Sequence, residues 1–342
     1  MAHILCCGIT DCRTINYPPL RRDCYIDFLR AIGLLLLIVA HTNPPLWLKI
    51  ARCFDVPLMV FVSAICYHPV KEGYIAYCVK RFKRIYIPTL VFLCLYYFIR
   101  MIFYKVPLSN IAGSLLLFNT PALGYIWIMR VFIMIALLNP FLYLLVSKGG
   151  VVVTSLISIG IIAINYCLEM AIDYIDLSFM KVALDKTLLY AVGYSAVAVV
   201  GLKIRDFTQK QVCTLILIFS VIFIFTMLFY GLKGLPINPN AYKYPPQSLF
   251  LLYGIIVSLL LWSIRPKISK YVNSKQFAYL SRNSMWIYLW HILLAYAVAT
   301  YADNHSLWFV RFCFILVAAL GLNAVYQYII KMLPQNISRA IG

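Results

Sequence analysis

The chain has 342 residues, 63% of them hydrophobic and 12% charged, and a formal net charge of +19. A water-soluble domain is about 45–50% apolar and about a quarter charged, so a soluble globule, a disordered chain and a disulfide-stapled miniprotein are all excluded. An all-α polytopic membrane protein remains, in which the surplus of 30 Lys and Arg over 11 Asp and Glu reads as loops facing anionic lipid rather than as a nucleic-acid surface.

In chain order, residues 1–22 read as a cytoplasmic N-terminal segment and residues 23–342 as one membrane domain. The first residues lack the basic start and long apolar run of a signal peptide. His3, Cys6, Cys7 and Cys12 lack the spacing of a tetrahedral site, so no metal is expected. The apolar runs predict about ten spans, at 28–47, 54–67, 85–104, 123–146, 151–168, 187–202, 212–232, 248–264, 278–300 and 307–331. The second and sixth are short. With both termini in the cytoplasm, the inner segments carry nineteen Lys and Arg and the outer segments seven, among them Lys49, Arg52 and Lys243. This alternation follows the positive-inside rule. Four of the acids, Glu169, Asp173, Asp176 and Asp185, fall in one outer loop.

Ionisable groups inside hydrocarbon are costly and need a reason. Arg30 and His41 are eleven residues apart on the first span, which returns to nearly the same helix face about 16 Å along the axis. Asp27 is one turn before Arg30 and can pair with it. Thr42-Asn43-Pro44-Pro45 follows His41, and a proline pair breaks the helical ladder. Broken backbone at membrane depth is tolerated where it is buried or lines a cavity, which places His41 beside a polar cavity. In the ninth span His291 lies nine residues beyond Arg282, at a depth similar to His41; a helix–helix hydrogen bond is the competing reading. Lys80-Arg81-Phe82-Lys83-Arg84 sets Arg81 and Arg84 three apart on one face, suited to phosphate or to anchoring a cytoplasmic loop. Arg100, Arg130 and Arg311 lie toward outer span ends; Arg100 and Arg311 read as snorkelling cations, and Arg130, the deepest, could meet an anionic acceptor.

These segments together resemble the acyltransferase-3 family of integral membrane acyltransferases. Asp27-Phe-Leu-Arg30-Ala-Ile-Gly is similar to the family's D-x-L-R-G-I-A start, Arg30 to His41 to its R-x10-H, and Pro57-Leu-Met-Val-Phe-Val-Ser63-Ala64 to its P-L-F-F-F-I-S-G segment. Arg81 and Arg84 match its R-x-x-R, Tyr125-Ile-Trp127 with Pro140 its W…P span, and Ser284 to His291 its S-x-x-I-Y-x-x-H span. Ala31 and Ala64 replace glycines, and Arg130 stands where many relatives carry an acid.

The resemblance implies a multi-pass protein of the cell inner membrane. It would take an acyl group, often acetyl, from cytoplasmic acyl-CoA to a hydroxyl of a surface polysaccharide, O-antigen or lipid-linked sugar. Arg30, Arg81, Arg84, Lys80 and Lys83 would then hold the donor phosphates. His41 would be the base, with Arg30 and His291 in the catalytic group. Ser63 or Asn283 would orient His41, stabilise the oxyanion or meet the acceptor, alongside Arg130 and Tyr125. The alternative is a transporter or flippase for a lipid-linked sugar or small metabolite, since broken helices and midplane polar groups suit carriers too. Lipids and the two substrates are the expected partners; oligomerisation stays open.

Overall fold

The computed structural model describes residues 23–69, 73–118, 123–175, 178–272, 274–299 and 307–332. These form fourteen α-helices and no strand: α1 (Cys24–Ala40), α2 (Leu46–Ala51), α3 (Asp55–Ile65), α4 (Tyr74–Phe103), α5 (Leu108–Leu115), α6 (Trp127–Val146), α7 (Val151–Asp173), α8 (Ser178–Lys203), α9 (Gln209–Leu232), α10 (Ser248–Ser263), α11 (Arg265–Ile268), α12 (Lys275–Arg282), α13 (Ser284–Ala299) and α14 (Trp308–Met332). The N-terminal segment, with His3, Cys6, Cys7 and Cys12, lies outside the described residues.

Each of the ten apolar runs carries a helix, but they are of two kinds. Six helical stretches are long and apolar enough to cross a membrane: Tyr74–Phe103, Gly124–Val146, Val151–Asp173, Met180–Asp206, Gln209–Leu232 and Trp308–Met332. The helices of the other four runs, α1, α3, α10 and α13, have 17, 11, 16 and 16 residues. At 1.5 Å per residue, the 11 residues of α3 cover roughly half of a ~30 Å hydrocarbon core. Burial does not follow length alone, since the long α8 is largely enclosed, but α3 is the most deeply placed of the short helices. Nearly every residue of α3 is shielded, whereas α9 and α14 present Leu217, Phe225, Phe314 and Val317 outward. A helix that is apolar all round belongs inside a bundle.

Close approach holds α3 there. A Cβ on Gly201 of α8 would sit 2.6 Å from the Phe61 carbonyl oxygen, and one on Gly254 of α10 would sit 2.4 Å from Pro57 Cβ. Both glycines let a neighbouring helix lie directly on α3.

Two expected spans are broken. The first ends at Ala40, with His41 as C-cap, and Asn43 takes φ +53° before the proline pair. The ninth divides at Asn283, between α12 and α13. Two others start earlier than their apolar runs suggest. The fourth helix begins at Tyr74, so the basic run Lys80–Arg84 is helical; α8 begins at Ser178 and carries Lys181, Asp185 and Lys186 in its first turns. Charged residues at helix ends hid both extensions. Inside α6, Pro140 cannot bond the Ala136 carbonyl, and Tyr77 OH donates to that oxygen at 2.9 Å instead.

Candidate active site

α1 delivers Arg30 near its start and His41 at its end. Arg30 is buried at 6% exposure. Its Nη1 donates to Ser281 Oγ at 3.2 Å, and Ser281 Oγ donates to Asp27 Oδ1 at 2.6 Å. Its Nη2 reaches Cys66 Sγ at 3.5 Å. A buried cation is tolerable only when its donors are occupied and a carboxylate is near; Ser281 of α12 links both groups.

A cavity opens beside this arginine, holding about 980 Å³ of non-protein space with its mouth included. Arg30, Arg81 and Arg84 line it, together with Ser63, Ser284 and Tyr288. The i,i+3 spacing of Arg81 and Arg84 on α4 turns both toward this space, and Arg81 packs over the Tyr77 ring at 5.3 Å. Lys80 and Lys83, on the other faces of α4, are exposed and do not line it. His68, in the loop after α3, is half-buried. Its pKa is lowered, first by desolvation and then by the charges of Arg205 and Arg81.

At the other end of α1, His41 Nδ1 lies 2.8 Å from His291 Nε2. The rings are 5.1 Å apart and tilted by 13°, and the His41 ring also stacks on Tyr125 at 3.8 Å. His291 is fully buried, and its Nδ1 contacts the Tyr288 carbonyl. These partners assign the tautomers of a neutral pair. A carbonyl only accepts, so His291 Nδ1 carries the hydrogen and Nε2 is bare. His41 Nδ1 must then donate, which leaves the lone pair on His41 Nε2.

The surrounding backbone is tied down. Tyr288 OH donates to the Tyr125 carbonyl at 2.5 Å, Gly124 N to Tyr296 OH at 2.8 Å, and Arg311 Nη1 to the Thr42 carbonyl at 3.2 Å. The cavity reaches Tyr288, whose ring lies 4.7 Å from that of His291, and Leu37, one turn before His41. His41 itself is not among the lining residues.

The other expected site residues part company. Ser63 faces the cavity on the Arg30 side. Asn283 Nδ2 donates to the Tyr279 carbonyl at 2.9 Å as it caps α12, away from the imidazoles. Arg130 is buried between the Phe118 and Tyr190 rings, at 5.2 and 5.4 Å. Among the described residues, no group of three His, Cys, Asp or Glu is placed to hold a metal.

Sequence reading missed a buried cluster at the His41 end. Asp55, with no exposed surface, accepts from Arg52 and, at 3.1 Å, from Lys243 Nζ. Its Oδ1 also takes the Val56 N–H at 2.8 Å. Lys243 comes from the segment between α9 and α10, 188 residues away. A lone acid at a helix start beside a loop arginine was the only signal.

No curated protein and no solved structure matches the chain. A family profile, described as an acyltransferase domain, matches residues 24–327. That match takes in α1 through most of α14, including Arg30, His41, Arg81, Arg84 and His291, and the chain belongs to the acyltransferase-3 family.

Proposed function

We propose that this membrane acyltransferase moves an acyl group, acetyl in the simplest case, from cytoplasmic acyl-CoA to a hydroxyl of a surface-polysaccharide or lipid-linked sugar at an inner membrane. The observation that carries the reading is the His41–His291 pair, placed just beyond a cavity walled by three guanidinium groups. CoA has a diphosphate and a 3′-phosphate, and Arg30, Arg81 and Arg84 present forked donors suited to them. Lys80 and Lys83 add charge near the mouth. The pantetheine arm is thin enough to carry the thioester toward Tyr288 and the imidazoles.

In the reaction, the acceptor hydroxyl loses its proton to His41 Nε2 as its oxygen attacks the thioester carbonyl. The tetrahedral intermediate collapses by breaking the C–S bond, and the CoA thiolate takes the proton back from His41. His291 is a positioning residue: its bare Nε2 fixes the His41 tautomer and supports the imidazolium. Tyr125 and Arg130 are the acceptor contacts on this reading.

The test supplies the purified full-length chain with radiolabelled acetyl-CoA and a panel of methyl glycosides. Labelled, acetylated glycoside supports the enzyme. Gradient-driven uptake of unmodified glycoside into proteoliposomes, without transfer, would establish the carrier instead.

A further inference from the structure

The Arg52–Asp55–Lys243 cluster has one charge too many. Two cations share one carboxylate, and all three side chains are at most 7% exposed. A surplus charge out of water is expensive unless an opposite charge completes it. Two donors here also lack partners. Arg52 Nε is buried without a hydrogen bond, and so is the hydroxyl of Tyr194, a residue with no exposed surface. Buried donors left unmade cost free energy, so each needs an explanation.

The cluster belongs electrostatically to the reaction centre. Arg52 and Lys243 are near enough to act on His41, and Asp55 and Tyr244 on both Tyr194 and Tyr288. Aromatic surface flanks it. Lys243 lies 5.6 Å from the Tyr244 ring centre, and that half-exposed ring packs edge-on against Trp127 at 5.3 Å. A surplus cation, orphaned donors and a partly open tyrosine suit a sugar that carries a negative group.

Resting on the acyl-transfer reading, we infer that Arg52 and Lys243 form an acceptor subsite for an anionic substituent, a carboxylate or a phosphate ester, on the sugar whose hydroxyl meets His41. The Arg52 fork and the Lys243 ammonium complete their donor sets on that group while Asp55 holds both in place. The aromatic neighbours take the apolar face of the ring.

The experiment measures equilibrium binding of methyl glucuronide, glucose 1-phosphate and neutral methyl glucoside to the full-length chain in detergent. At least one anionic sugar is expected to bind about tenfold or more tightly than the neutral glycoside, and the two anionic arms tell carboxylate from phosphate. Lys243→Met is expected to abolish that preference, and Lys243→Arg, which retains the charge if the first variant fails to fold, to keep it. Equal binding of all three ligands, or a preference that survives both Lys243→Met and Arg52→Gln, overturns the inference. A chain that prefers an anionic sugar yet transfers no acetyl group upholds the subsite and overturns the acyl-transfer reading.

Discussion

Two cationic regions lie at opposite ends of α1, and they handle charge differently. At the Arg30 end, Arg30, Arg81 and Arg84 line an open cavity, and Ser281 bonds to both Arg30 and Asp27. At the His41 end, Arg52 and Lys243 close directly on Asp55 with almost no exposure. The open region presents Arg30, Arg81 and Arg84 to non-protein space. The closed one holds its two cations on a carboxylate inside the fold. Positive charge alone does not separate a binding rim from a structural core; what separates these two is that the first lines open space.

The sharpest way to break this contrast is Asp55→Ala. It leaves two cations buried without their carboxylate, a loss worth about 3–5 kcal/mol. Denaturant unfolding in detergent is expected to show that loss; a change below about 1 kcal/mol would put the cluster with exposed ion pairs.

Next in size is His291→Ala, expected to slow transfer about a hundredfold with the fold intact, within the range of general-base contributions. His291→Gln, whose side-chain oxygen can still accept from His41 Nδ1, should recover part of the rate. Equal losses in both variants would reduce His291 to packing.

At the open end, Arg84→Ala should weaken acetyl-CoA binding about tenfold or more, as for a lost charge-assisted hydrogen bond. Lys83→Ala, on the exposed face of α4, should change it less than about twofold. Similar effects from both would mean that general charge, rather than the cavity wall, holds the donor.

The smallest effect concerns pH. Burial and the Arg81 and Arg205 charges lower the His68 pKa below its usual 6.5. The folded chain therefore binds fewer protons there than the unfolded chain, and stability falls as pH drops below about 6.5 toward the lowered value. His68→Gln should flatten that slope in thermal unfolding between about pH 5 and pH 7, and an unchanged slope would assign it to other groups.

How much of this was legible depends on sequence distance. Arg30 with His41, and Arg81 with Arg84, each sit on a single helix, so spacing sufficed to put them on a common face. His291 was visible as an ionisable group in an apolar run, although its partner was not. Asp55 and Lys243 were opaque for the opposite reason: they lie 188 residues apart, and a positive-inside tally treats Lys243 and Arg52 only as outer-loop charges. Hydropathy also rated α3 like its neighbours, because apolarity does not tell a lipid-facing helix from one buried in protein. The break at Asn283 falls in the polar run Ser281-Arg282-Asn283-Ser284, which reads as the cytoplasmic edge of a span rather than as a junction between two helices. Ser281, which links Arg30 to Asp27, has no sequence signature at all.

The central claim is that the lone pair on His41 Nε2 accepts the acceptor's proton. Its most direct test is single-turnover transfer of labelled acetyl from acetyl-CoA by His41→Ala, at saturating donor. The account predicts a fall in rate of about a thousandfold or more, with acetyl-CoA affinity retained because Arg30, Arg81 and Arg84 are untouched. Transfer at close to the unmodified rate in a well-folded His41→Ala chain would contradict it.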